Sequence, residues 1–167
     1  REEKAYAEAE RYFRAVRDSL GDDRQQRDAQ KFLADTYFES FKFADALGGY
    51  LQLLGMKPAK NERYLALYRA ALCSYKLQRI SVGMEYLDKL IKDPLFYDSL
   101  STVQLTLGEG FEYSGDLAQA EATYEEVAVT TRNLTKKAEA YYRLGLIYQF
   151  DYDDLIRAKE YYDKSAE

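Results

Sequence analysis

Apolar residues recur along this chain at spacings of three and four, the pattern of helices that each bury one stripe. The stretch LGEGFEYSGDLAQAEATYEEV, residues 107–127, shows it most clearly. Leu107, Gly108 and Phe111 share one face of a first helix, and Ala120, Tyr124 and Val127 share one face of a second. Between them, Gly115 can take the left-handed conformation that ends a helix. Asp116 can cap the next helix, with Gln119 placed three residues on as in a capping box. The alternation of small and aromatic residues has a packing reason. Two helices approach to about 8 Å only where small side chains meet, and an aromatic from the adjoining turn fills the space beside them.

The same pattern repeats every 37 residues. Ala34, Ala71, Gly108 and Gly145 lie in equal steps, and so do Ala9, Ala46, Gly83 and Ala120. Four residues after each member of the second series comes a large one, Phe13, Tyr50, Leu87 or Tyr124, and three further on Val16, Leu53, Leu90 or Val127. The spacing predicts nine helices in one all-α domain with no linker or internal boundary. Residues 1–20 form half a repeat, and helix pairs occupy 24–55, 61–92, 98–130 and 135–166. Each repeat touches only its neighbours, as in a solenoid.

These residues resemble the tetratricopeptide repeat (TPR) family. Leu33-Ala34, Tyr37, Ala46, Tyr50 and Pro58 match its large-small, aromatic, small, aromatic and terminal-proline pattern, and Leu107-Gly108, Phe111, Gly115-Asp116, Ala120 and Tyr124 match it again. The second unit is weaker, with Ser74 where an aromatic is usual. The fourth unit offers Tyr141, Leu144-Gly145 and Tyr148, then one inserted residue that shifts its second helix to Ala158 and Tyr162. That unit is also similar to Sel-type repeats. The family's usual period is about 34 residues, so three added residues are expected between units, near GMKPAKN, KDPLFYD and TRNLTKK. Longer periods resemble bacterial envelope proteins of this type, although their Tyr-Pro ending is absent; cytoplasm and envelope both stay open. The resemblance implies a right-handed α-solenoid and a protein or peptide partner.

Composition narrows the chemistry. Hydrophobic residues make up 47% of the chain and charged residues 32%, the balance of a globular protein, and no apolar run is long enough to span a bilayer. The net charge of −5 is spread without a basic stripe, which argues against nucleic acid. With no histidine, the commonest general base and metal ligand is missing. GEG at 108–110 lies inside a helical repeat and lacks the lysine of a phosphate loop, and DYDD lacks the pattern of a calcium loop. Cys73, the only cysteine, sits at helical spacing as a small buried hydrophobe. Neither catalysis, a metal nor a cofactor is expected. The chain starts at Arg1 with no apolar signal segment after it, and is expected to be a piece of a longer sequence.

In the family it resembles, first helices line a concave groove. Carried onto this sequence, the groove comprises Lys31 and Phe38, then Leu65, Tyr68, Leu72 and Tyr75, then Leu105, Glu109 and Tyr113, and finally Tyr142, Leu146 and Phe150. An apolar-aromatic band there marks a contact surface. Capture of a chaperone C-terminal carboxylate is disfavoured, because Asp35 occupies the slot where those members carry asparagine beside Lys31. The alternative function is a structural element that oligomerises through its end faces. Leu144, Ile147 and Tyr161 are expected to lie open at the C-terminal face, either continued by further sequence or covered by a second copy in a weak, concentration-dependent dimer. The first helix is expected to turn Ala9, Tyr12, Phe13, Val16 and Leu20 inward. Gly108 is expected in a close helix contact, and Gly110 is expected to face elsewhere and tolerate alanine.

Overall fold

The computed structural model describes residues 2–19 and 22–167. Among the described residues it is helical throughout: α1 Glu2–Asp18, α2 Asp23–Glu39, α3 Phe43–Gly55, α4 Lys60–Lys76, α5 Ile80–Ile91, α6 Leu100–Ser114, α7 Leu117–Thr130, α8 Leu134–Phe150 and α9 Leu155–Ser165, with a 3-10 segment at Pro94–Ser99. Within these, α2–α3, α4–α5, α6–α7 and α8–α9 follow one another as helix pairs. The connection at GMKPAKN is only residues 56–59. The connection at KDPLFYD is longer, residues 92–99, and holds the 3-10 segment; the first helices α2, α4, α6 and α8 have 15 to 17 residues and the second helices 11 to 14.

Contacts divide the chain into two compact units, Arg1–Leu95 and Phe96–Glu167, where the sequence pattern marked no boundary. In the first, α1 through α5 pack in chain order, each on the next. Its core joins Leu33, Ala34 and Tyr37 to Ala46, Tyr50 and Leu53, and then to Ala66, Ala70 and Cys73. In the second, α6 through α9 do the same, around Ala120, Tyr124, Val127, Ala140, Leu144 and Ile147. Of the two small-residue series only Ala9 is not buried.

The close approaches follow a rule. A methyl built on Gly108 would overlap the Tyr124 ring, and one on Gly145 the Tyr162 ring. In the second repeat Leu87 replaces that second-helix tyrosine. The notch, now at Gly83, is filled by Tyr75, which comes from the first helix. Glycine and aromatic have both changed helices, so the notch is reversed across the pair. Gly110 departs from expectation: it is buried, on the face of α6 it shares with Val103 and Thr106, which stand seven and four residues earlier.

The turns inside each repeat close alike. The amides of Lys42, Arg79 and Asp116 donate to the carbonyls of Tyr37, Ser74 and Phe111 at 2.9, 2.8 and 2.9 Å, the Schellman closure of a helix end. It requires a left-handed residue, and the slot holds Phe41 (φ 60°), Gln78 (φ 60°) and Gly115 (φ 79°), with Asp153 (φ 53°) after the insertion. Only the third repeat supplies the residue the geometry favours. Gln78→Gly is therefore expected to stabilise the protein by ~0.5–1 kcal/mol, and Gly115→Gln to destabilise it by ~1 kcal/mol. Calorimetry of both variants checks the sign.

Two expectations about the ends are corrected. Leu144 and Ile147 are fully buried, sharing one core with Val127 and Ala128 of α7. The Tyr161 hydroxyl donates to Glu125 at 3.1 Å. First-helix apolar residues face back onto the preceding second helix, so these three do not form an open C-terminal face. On α9 the places matching Glu121 and Glu125 of α7 hold Lys159 and Asp163, ion-paired at 3.2 Å. At α1, Ala9, Phe13 and Val16 are half-buried but Tyr12 is exposed, and Leu20 lies outside the described residues.

Candidate functional site

The first helices carry the candidate residues, and each unit presents its own set. In Arg1–Leu95 the set is held by charge. Lys31 Nζ sits 2.9 Å from Asp35, whose other oxygen accepts the Tyr50 hydroxyl at 2.7 Å. Lys31 thus has a carboxylate partner one turn along its own helix. Phe38 is half-buried beneath the Arg69 guanidinium, 4.1 Å from its ring centre, and Arg69 also approaches Glu39 at 3.9 Å. Arg27 approaches Glu62 at 3.7 Å. Leu65, Tyr68 and Leu72 are half-buried, and Tyr68 stacks on Tyr64 with ring centres 5.8 Å apart. Tyr75 is buried in the Gly83 notch and does not line the surface.

In Phe96–Glu167, Leu105 belongs to the core and also leaves the candidate surface. Glu109 accepts from Arg143, which approaches Glu112 at 3.9 Å; Glu112 in turn accepts the Tyr124 hydroxyl. Lys136 pairs with Glu139 at 2.8 Å. Beside these pairs Tyr113 is 63% exposed, Tyr142 50% and Phe150 71%. Leu146 is half-buried, and the Tyr142 ring centre lies 5.8 Å from that of Tyr162. The exposed apolar part of the expected groove therefore lies in this unit.

Sequence reasoning missed Arg69 and Arg143. Both precede a small residue of the repeat by two positions, and they stand two periods apart. That shared slot was the available signal. Each reaches from its own first helix to a carboxylate on the first helix of the repeat before it. The tyrosine hydroxyls make a second set of cross-helix links. Tyr37 donates to Glu10 at 3.0 Å, and Tyr148, three periods later, donates to Glu121.

Electrostatics here serve structure. Burial works against the charge of Arg143, yet Glu109, Tyr124 and Glu112 raise its pKa above the ordinary value. Burial, and then a hydrogen bond to Asp35 or Glu112, pushes Tyr50 and Tyr124 far up. Burial pushes the Cys73 thiol up to about 12. A group whose folded pKa is raised stabilises the fold fully below its unfolded pKa and loses that contribution as pH rises toward the folded one. Stability is therefore expected to decline as pH rises above about 9, with Cys73, Tyr50 and Tyr124 ionising only as the chain unfolds. Tyrosinate absorbance and thiol labelling that track the loss of helical signal would bear this out. Ionisation of all the tyrosines and Cys73 before unfolding would contradict it.

No protein-family model and no curated protein sequence matches the chain. Solved structures do. BtubC (BKLC) from P. vanneervenii superposes with a TM-score of 0.77 at 14% identity, covering 98% of this chain and 73% of that one. The nearly identical TPR-like repeats of a putative kinesin light chain from Podosopora anserina give 0.77 at 14% identity, over 99% and 85%. MamA gives 0.67 at 17% identity, over 84% and 76%. The chain thus has the fold of TPR-like helical repeats, an all-α solenoid of helix-turn-helix units.

Proposed function

We propose that this chain is a protein-interaction module that holds a peptide or helix of a partner against its first helices. Tyr113, Tyr142, Leu146 and Phe150 form the principal contact in Phe96–Glu167. Phe38, Leu65, Tyr68 and Leu72, with Lys31, form a secondary set in Arg1–Leu95, and Glu109 orients Arg143 beside the principal one. The observation that carries this reading is the exposure of Tyr113, Tyr142 and Phe150, each leaving at least half its surface in solvent. Aromatic side chains placed this way supply rigid contact area at low entropic cost. The TPR-like fold supports a scaffold role.

The test is capture of partners by the whole chain, identified by mass spectrometry and then measured directly. Tyr113→Ala with Tyr142→Ala is expected to weaken the captured partner by more than about tenfold, since aromatic anchors typically carry ~2 kcal/mol or more. The melting temperature should stay near that of the parent. Undiminished affinity in the double variant would sink the proposal.

A further inference from the structure

The turn joining α8 to α9 differs from the other three within-repeat turns. The second residue of the second helix is Ala44, Ser81 or Ala118 in the first three repeats, small and exposed each time. In the fourth it is Ile156, 78% exposed. The residue before it is half-buried in the first three (Phe43, Ile80, Leu117), but here it is Leu155, 63% exposed. A position that stays solvated through the array has gained a large aliphatic side chain, and its neighbour has been turned out with it.

Charge identifies the occupant. Asp151 and Asp153 precede this pair in the turn with no ion-pair partner among the described residues, whereas Asp154 is engaged by the backbone and guanidinium of Arg157. No group of three or more candidate ligands gathers for a metal among the described residues. The whole unit Phe96–Glu167 has fourteen acidic residues against seven basic ones, while Arg1–Leu95 has fifteen against seventeen. An anionic bilayer would be repelled by such a surface. A cationic protein segment would be drawn to it.

We propose that the α8–α9 turn docks a basic aliphatic segment of a partner protein. Leu155 and Ile156 receive its aliphatic side chains, and Asp151 and Asp153 receive a lysine or arginine. This proposal does not rest on the Tyr113–Tyr142 contact, and the two are tested by different variants. The test pans a library of short random displayed peptides against the whole chain and measures one enriched peptide by fluorescence anisotropy. Enriched peptides are expected to combine Lys or Arg with Leu, Ile or Val. Leu155→Ser with Ile156→Ser should weaken binding about tenfold or more, with helix content unchanged. Asp151→Asn with Asp153→Asn should weaken it about threefold or more, with reduced salt dependence. Tyr142→Ala should leave it unaltered. A neutral or acidic consensus, no enrichment, or binding lost with Tyr142→Ala but retained in the Leu155/Ile156 variant would each overturn the proposal.

Discussion

Gly108→Leu is expected to cost ~1–3 kcal/mol by overpacking. Its unit is small, and each kcal/mol is worth about 4–8 °C of melting temperature in a domain of 60–100 residues. The Tyr124 ring lies where even a methyl on Gly108 would stand. Relief would require moving a fully buried ring and breaking its hydroxyl bond to Glu112. Gly48→Ala is the matched control. Gly48 is also helical, but a Cβ there meets nothing within 4 Å. Alanine should therefore gain up to about 1 kcal/mol of helix propensity. Gly110 cannot serve as that control, because it is buried. Thermal melts followed by circular dichroism should separate the two variants clearly, and equal melting temperatures would refute this account of the notch.

Tyr75→Ala is expected to cost more, ~3–5 kcal/mol, the range for emptying a buried aromatic site. The ring stands over Gly83 of the second helix, whereas in the third and fourth repeats a second-helix tyrosine stands over a first-helix glycine, and Leu87 is at that tyrosine's place here. Tyr142→Ala, at a half-exposed ring, should change stability by no more than about 0.5 kcal/mol. Chemical denaturation of both variants distinguishes a core aromatic from a surface one. Near-equal losses would mean that Tyr75 contributes to the surface after all.

The all-helical repeat and its small-residue notches were legible in the sequence because they follow from period and volume. A slot that recurs every 37 residues and always holds Ala or Gly must meet a neighbouring helix, and the inserted residue that moves Ala158 and Tyr162 can be counted. The cap at Asp116 was equally local, its carboxylate accepting from the amide three residues on. Exposure of the face was a different matter. Tyr75 and Tyr142 read alike as aromatics off the packing stripe, yet one is buried because its ring packs over Gly83 of the neighbouring helix. Leu105, too, is absorbed into the core. The same holds for Leu144 and Ile147, whose burial depends on which neighbour their helix leans toward. Arg69 and Arg143 needed the distance between successive first helices before their carboxylate partners could be known. Periodicity along one chain determines which residues share a face. Only the packed neighbours decide whether that face is covered, because burial depends on side chains distant in sequence.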